Sequence, residues 1–322
     1  MKNIIAIIIG TVVVVTLLTS LLAPAIDELN NENAGGDEIY MFMITGQSNS
    51  AYRQVDLTIA NNEIPRIPEN YAYYLGTEER PPESKPINWE SQINSWGLHS
   101  MVNPDGTWHI GNYEAQLAST FYHETGQRCL IVNAGWDSAS INASQPGEYE
   151  NTYFKAMFEK AKSLIPTKYT LKLGCVFWAQ GEADDDMTVE EYKDKFLTMW
   201  EDYQTLGWGS ILIAQTRFDQ SPISPEAQEE LNGIDHIYLA TDVTQSFSVA
   251  NGLLNSDNQH YSQKGRIIVA KDWMGFYLDH EYTPTSSEDY GRLIFPIAAV
   301  IPVMVVIGLL VCIARILFRN RD

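Results

Sequence analysis

The 322-residue chain is poor in cysteine and in basic residues, and each shortage excludes a class of function. Its three cysteines, Cys129, Cys175 and Cys312, form no CxxC pair and no zinc-like spacing with histidine, so no metal site is predicted. Lys and Arg total 21 against 41 Asp and Glu, and the formal net charge of −20 disfavours nucleic acid as a partner. The sequence leaves open whether Cys129 and Cys175 pair, and it predicts no oligomeric state.

Charged residues are nearly absent from a segment at the N-terminus. Residues 4–22 are almost all apolar, Lys2 precedes them, and Ala23-Pro24-Ala25 resembles a signal-peptidase site. The segment is long for the apolar part of a signal peptide and just long enough to span a bilayer. Residues 1–26 are therefore predicted to be either a cleaved signal peptide or an uncleaved signal anchor, and both would export the domain that begins after them.

A second apolar segment, residues 293–317, lies near the C-terminus. It ends in a cluster of arginines, which predicts a transmembrane helix followed by a cytoplasmic tail at 318–322. The polar stretches 27–37 and 283–292 are predicted linkers. The lipid bilayer is thus a predicted partner, and residues 38–282 are expected to form a membrane-anchored domain outside the cytoplasm.

Between the linkers, short apolar runs alternate with segments of helical periodicity. Such runs are typical of parallel strands buried on both faces, and ligands bind these sheets at the carboxyl ends of the strands. We predict a three-layer α/β sandwich of the flavodoxin-like type around a mostly parallel five-stranded sheet. The predicted strands are residues 38–45, 128–133, 170–178, 210–215 and 237–240, and the predicted helices are residues 113–122, 153–165, 189–203 and 263–278.

The first predicted strand ends in Gly46-Gln47-Ser48-Asn49, where glycine permits a tight turn. Acyl transfer requires a nucleophile, a base, an acid that orients the base, and donors for the oxyanion. Ser48 is predicted to stand at the start of a helix, where unpaired N–H groups favour developing negative charge. The alternative is that Ser48 or Ser50 only caps that helix.

Two other strand ends carry candidate donors for an oxyanion. The third strand ends in Trp178-Ala179-Gln180-Gly181-Glu182, and the side-chain amide of Gln180 is one candidate. Gly135 follows the second strand, and its backbone N–H can approach a ligand closely because the residue has no side chain. Both candidates are expected at the same edge of the sheet as Ser48.

His260 stands out among the six histidines because an acidic residue lies at a useful spacing. Asp257 precedes it by three positions, and residues three apart share one side of a turn or of a first helical turn. An aspartate in that place orients the imidazole and fixes its tautomer. The pairs Asp235-His236 and Asp279-His280 are adjacent in sequence, so their side chains point apart on regular elements.

Three motifs in fixed order carry a resemblance to a known family. Gly46-Gln47-Ser48-Asn49, Trp178 to Glu182, and Asp257-Asn258-Gln259-His260 resemble the sialate O-acetylesterase and acetylxylan-esterase branch of the SGNH/GDSL hydrolases, over Glu38 to Phe276. Gly111 to Glu114 is similar to a Gly-Pro-Glu segment of that branch. Residues 135–141 are similar to its Gly-Gly-Thr-Ser-Ile segment, although Trp136, Asp137 and Ser138 replace small residues.

The resemblance implies roles for individual residues. Ser48 would be the nucleophile, His260 the base and Asp257 the group that orients it, with no metal or organic cofactor. The backbone N–H groups of Ser48 and Gly135 and the side chain of Gln180 would form the oxyanion hole. Supporting positions around them would be taken by Glu182, Gln47 and Asn49.

The predicted activity is removal of acyl groups, with acetyl favoured, from O-acylated carbohydrate. Trp136 is expected to narrow the acyl pocket toward small groups. Two alternatives remain at this level: an O-acyltransferase that uses the same residues, and a surface glycan-binding protein that has lost catalysis.

Overall fold

In the computed structural model of the chain, which describes residues 38–52, 56–78, 82 and 88–283, the central element is strand β1, Glu38–Gly46. It pairs in parallel with β4, Arg128–Asn133, on one side and with β5, Thr170–Ala179, on the other. Eight of its nine residues are buried, as expected for a parallel strand covered on both faces.

The sheet has seven strands in the order β3-β2-β4-β1-β5-β6-β7, so the prediction of five strands was wrong. The predicted three-layer, mostly parallel architecture is confirmed. The two unpredicted strands lie at one edge, and β3 is antiparallel to β2. They are short and partly polar, so neither the length nor the alternation that marks a strand is visible in the sequence. The remaining strands are β2, Ala72–Gly76; β3, Gly97–Ser100; β6, Ile211–Ala214; and β7, Ile237–Thr241.

Seven α-helices lie in the described part of the chain. The four predicted helices are present with shifted ends, and α1, α2 and α6 were not predicted. Helix α6 escapes prediction because it is short and carries Pro225, which is tolerated in a first turn. The bounds are α1, Leu57–Glu63; α2, Trp89–Gln92; α3, Asn112–Thr125; α4, Tyr149–Leu164; α5, Val189–Gln204; α6, Ile223–Leu231; and α7, Gln263–His280.

The two faces of the sheet carry separate hydrophobic cores. Phe42 and Ile44 of β1 point into the core that α3 and α7 cover. Met41 and Met43 point into the opposite core, which α4, α5 and α6 cover. Successive residues of one strand therefore serve different layers, and together the layers hold the strand ends in fixed positions.

Among the described residues, no helix has the length and apolarity needed to cross a membrane. The predicted signal segment, the linker 27–37, the transmembrane helix 293–317 and the tail lie outside those residues, as does the linker 283–292 apart from Thr283. These assignments stay predictions from the sequence.

Cys129 and Cys175 are both buried and free. They lie on β4 and β5, which are separated by β1. The question of pairing left open by the sequence is thereby answered for these two thiols.

Candidate active site

The sheet brings the loops after β1, β4 and β5 together at one edge. The chain leaves β1 toward one side of the sheet and continues from β5 toward the other, so the loops diverge at this point and leave room for a ligand. Gly46 ends β1 with a φ of +118°, and a Cβ there would lie 2.3 Å from the Ala179 carbonyl oxygen. Only glycine fits this approach of β1 to β5.

Ser48 lies in a tight turn, and the prediction that it begins a helix was wrong. The N–H groups of Ser50 and Ala51 both donate to the Gln47 carbonyl oxygen at 2.9 Å. Helix α1 begins only at Leu57. The turn places the Ser48 side chain at the sheet edge without a helix dipole behind it.

The structure brings Ser48, His260 and Asp257 into one line of hydrogen bonds. His260 Nε2 lies 3.1 Å from Ser48 Oγ, and His260 Nδ1 lies 2.8 Å from Asp257 Oδ2. The other oxygen of Asp257 accepts the backbone N–H groups of His260 and Gln259 at 2.9 and 3.0 Å. This arrangement leaves Nε2 directed at the serine hydroxyl, where a base is needed to remove its proton.

The charge of Asp257 is held by these contacts. Burial raises its pKa, but hydrogen bonds from the His260 side chain and from the backbone N–H groups of His260 and Gln259 outweigh burial and lower the pKa to about 2. The carboxylate therefore stays ionised across neutral pH and fixes the proton of His260 on Nδ1.

The loop before α7 folds locally so that Asp257 and His260 face the same side. The N–H of Asn255 donates to the His260 carbonyl at 2.8 Å, and the N–H of Asn258 donates to the Asn255 carbonyl at 3.0 Å. Asn258 takes a φ of +57°, a region that asparagine tolerates. The three-residue spacing noted in the sequence is therefore realised in a turn.

Asn49 joins the turn after β1 to two other loops. Its Nδ2 donates to Glu182 Oε1 at 2.7 Å, and its Oδ1 accepts the N–H of Tyr261 at 3.0 Å. The Tyr113 hydroxyl donates to its carbonyl oxygen at 2.7 Å. Because Tyr261 follows His260, the Asn49 side chain ties the loop that carries the imidazole to the turn that carries Ser48.

A pocket of about 270 Å³ opens in front of Ser48, and we call it the Ser48 pocket. Burial raises the pKa of Glu182, partly offset by the hydrogen bond from Asn49, and its Oε2 has no hydrogen-bond partner among the described residues. The pocket is lined by Gln47, Ser48, Asp137, Ser138, Glu182, Ala183, Gln259 and His260.

Comparison with known families identifies the family to which the chain belongs. The model of the family described as carbohydrate esterase, sialic acid-specific acetylesterase matches residues 38–279. The chain belongs to this family. It is a carboxylic ester hydrolase, and the resemblance found in the sequence is confirmed.

Solved structures similar to this esterase share its fold. A protein from Arabidopsis thaliana aligns with a TM-score of 0.54 and 16% identity, covering 75% of this chain and 98% of that one. NanS aligns with a TM-score of 0.50 and 13% identity, covering 76% of this chain and 98% of that one. No curated protein sequence matches the chain.

Gln180 of the esterase is not among the residues that line the Ser48 pocket. Its Nε2 donates to the Ala139 carbonyl at 3.2 Å and to Asp184 Oδ2, and its Oε1 accepts the Tyr192 hydroxyl at 2.9 Å. Both amide hydrogens are therefore engaged inside the protein. The sequence expectation placed this side chain at the oxyanion, and the structure places it beneath the loop that follows β4.

Gly135 also differs from its expected position. Its N–H donates to Asn133 Oδ1 at 3.0 Å, and a Cβ on it would lie 2.5 Å from Ser50 Oγ. The residue is a close-packing glycine behind the turn after β1. Asn133 is held in turn by the buried Glu114, whose pKa burial raises to about 7.

Two residues of the loop after β4 line the Ser48 pocket of the esterase and were not predicted as site residues from the sequence. They are Asp137 and Ser138, and Ser138 has a φ of +61°. The signal was present in the sequence, because both stand where the family has small residues. Trp136 packs on Tyr149 and Tyr153 with ring centroids 5.2 Å apart and is not among the residues of the pocket. The expectation that it narrows an acyl pocket is thus unsupported.

Arg217 is a further supporting residue that sequence reasoning missed. It follows β6, is buried, and donates from Nη1 to the Asn258 carbonyl at 3.1 Å while pairing with Asp219. It thereby braces the loop that carries Asp257 and His260. Its place just after a strand end was the readable signal.

Proposed function

We propose that this esterase removes acetyl groups from O-acetylated carbohydrate through a Ser48-His260-Asp257 mechanism. The observation that carries the proposal is the 3.1 Å separation of Ser48 Oγ and His260 Nε2, together with the 2.8 Å separation of His260 Nδ1 and Asp257 Oδ2. Family membership supports both the acetyl group and the carbohydrate.

The reaction proceeds in two steps. Ser48 Oγ attacks the ester carbonyl while Nε2 takes its proton, and the imidazolium formed is stabilised by the ionised Asp257. The imidazolium then returns the proton to the departing sugar oxygen, which leaves acetyl-Ser48. Water, deprotonated by His260, attacks this ester and releases acetate, and the proton returns to Ser48.

The oxyanion donors in this proposal are the backbone N–H groups of Ser48 and Ser138. Ser138 lines the Ser48 pocket, and its N–H makes no hydrogen bond to any described residue. Gln180 supports the oxyanion donors indirectly, because its hydrogen bond to the Ala139 carbonyl holds the loop that presents Ser138. Gly135 contributes by letting that loop approach Ser50.

The decisive experiment is acetate release by the purified protein from p-nitrophenyl acetate and from an acetylated glycan. Ser48→Ala should lower kcat by at least about 10³-fold on both substrates. Ser138→Gly is the matched control, since it removes another pocket hydroxyl while keeping the backbone N–H and suiting the positive φ. Wild-type rates in Ser48→Ala would overturn the proposal.

The same residues would also pass the acetyl group to a sugar hydroxyl in place of water. Product analysis with an added sugar acceptor separates the two outcomes, since hydrolysis yields free acetate and transfer yields a new sugar ester. The proposed place of action is outside the cytoplasm, in keeping with the two apolar segments of the sequence.

A further inference from the structure

A second depression lies beside the Ser48 pocket and takes no part in the proposed chemistry. It has a volume of about 430 Å³, and we call it the Tyr149 groove. Its lining residues are Ser140, Asn142, Ala143, Gln145, Glu148, Tyr149 and Lys195.

One stretch of chain contributes residues to both cavities. Ser138 lines the pocket and Ser140 lines the groove, so their Cα atoms are at most about 7 Å apart. Ala139 between them is buried, and its carbonyl accepts from Gln180. The N–H of Ile141 donates to Asp184 at 3.1 Å. Buried hydrogen bonds on both sides of Ser140 thus hold this shared stretch in place.

Tyr149 gives the groove a rigid aromatic surface. It is 47% exposed, among the highest values for a large apolar side chain in the described residues. Its ring packs against Trp136 at 5.2 Å, and Trp136 packs against the buried Tyr153 at 5.2 Å. The exposed ring is therefore held in place from behind, so a ligand that stacks on it meets a surface that is already ordered.

The remaining groove residues offer hydrogen bonds of mixed charge. Gln145 uses its Nε2 to bond the Ile141 and Lys195 carbonyls at 2.9 and 3.0 Å, and its Oε1 has no partner among the described residues. Lys195 and Glu148 bring one charge of each sign. Such a surface suits a neutral polyhydroxylated ligand, because hydroxyl groups both donate and accept and no net charge selects an ion.

We infer that the Tyr149 groove binds a further sugar unit of a chain-like glycan whose acetyl ester lies in the Ser48 pocket. The inference rests on the proposed function and deepens it: the substrate is an acetylated oligosaccharide or polysaccharide, and a free acetylated monosaccharide reaches only the pocket. Tyr149 stacks on a sugar ring, and Gln145 Oε1 accepts a hydroxyl.

The test compares kcat and KM on three kinds of substrate: p-nitrophenyl acetate, acetylated monosaccharides, and acetylated tetrasaccharides derived from xylan, mannan and sialoglycans. Tyr149→Ala should raise KM about 5- to 10-fold for the tetrasaccharide that the wild type prefers. Its kcat, and both constants for the two small substrates, should not change. Tyr149→Phe keeps the ring and should behave as wild type.

Tyr169→Ala is the matched control. Tyr169 is a partly exposed tyrosine just before β5, at the amino end of that strand and away from the carboxyl ends that carry the Ser48 pocket. Its removal should leave the kinetics on all three substrates unchanged. A wild-type enzyme without preference for any tetrasaccharide over its monosaccharide would overturn the inference, as would an equal loss on all substrates in Tyr149→Ala.

Binding measured without catalysis separates this inference from the proposed function. Calorimetry with Ser48→Ala protein and the deacetylated tetrasaccharides reads the groove directly. Binding that Tyr149→Ala removes supports the groove even if the wild type releases no acetate, in which case the proposed function alone fails. Acetate release without any tetrasaccharide binding or chain-length preference refutes the groove and leaves the esterase intact.

Discussion

Asn49 and Glu182 are joined by a 2.7 Å hydrogen bond that links the turn after β1 to the loop after β5. The bond uses the side-chain amide of Asn49, whose oxygen simultaneously holds the backbone of Tyr261 beside His260. Glu182 makes no hydrogen bond to the ring nitrogens of His260 in the described structure, and it reaches the loop that carries His260 through Asn49. We therefore predict that Glu182 positions this loop and takes no part in proton transfer.

Substitutions at Glu182 test that role. Glu182→Gln keeps a carbonyl oxygen for Asn49, so we expect kcat to remain within about 10-fold of wild type. Glu182→Ala removes the acceptor, leaves the Asn49 amide without this bond, and should lower kcat by about 10²-fold with little change in KM. Steady-state kinetics on p-nitrophenyl acetate measure both. Equal and large losses in the two variants would instead mean that the negative charge itself is required.

Gln180 is predicted to matter for stability more than for the chemical step. Gln180→Ala leaves Asp184 and the buried Tyr192 hydroxyl each without one hydrogen bond and opens a small cavity. Together these should lower the free energy of unfolding by about 2–4 kcal/mol. Urea unfolding measures this free energy. The near-neutral control is Gln204→Ala on α5, because Gln204 is partly exposed and its side chain bonds only Asp235 among the described residues. A variant of unchanged stability whose kcat falls by about 10²–10³-fold would return Gln180 to the oxyanion.

Glu150 predicts a pH dependence of stability. Burial raises its pKa to about 8, partly offset by hydrogen bonds from Ser144, from the Gly46 N–H and from Thr45. The folded state therefore keeps its proton up to about pH 8, whereas the unfolded state releases it near pH 4.5, the ordinary pKa of the group. The associated stability is present below that value and is lost as the pH rises toward about 8, with a ceiling of about 5 kcal/mol.

Glu150→Gln imitates the protonated acid and should remove much of this loss. The difference in unfolding free energy between variant and wild type should be small near pH 5 and should shift in favour of the variant by pH 8. Glu159→Gln, on the exposed side of the same helix, is the control and should follow the wild-type curve. A difference that does not change with pH would show that Glu150 is already ionised in the folded protein.

The sequence predicted the centre of the fold well and its edge poorly. Strands β1, β4 and β5 each contain a run of buried, mostly apolar residues, so their composition alone marks them. Strands β2 and β3 have five and four residues, and their place in the sheet depends on partners distant in sequence. Tertiary pairing, which no local pattern encodes, decides such strands.

The candidate site also contains residues whose arrangement the sequence predicted and residues whose arrangement it did not. The Asp257-His260 pair is local, so its spacing could be read directly, whereas Ser48 lies 212 positions from His260 and was linked to it only through the family resemblance. Gln180 was misplaced because the direction of a side chain after a strand end depends on the next turn. Gly181, with a φ of +148°, redirects the chain there, and no pattern in the surrounding residues announces it.

The two buried thiols that flank β1 can report on the opening of the strands in the middle of the sheet. Burial raises the pKa of both Cys129 and Cys175, so neither forms thiolate readily while the strands stay paired. A thiol reagent must wait for β4 or β5 to open before it reacts. The rate of labelling at each cysteine therefore measures how readily its own strand opens, and comparing the two rates shows whether β4 or β5 opens more readily.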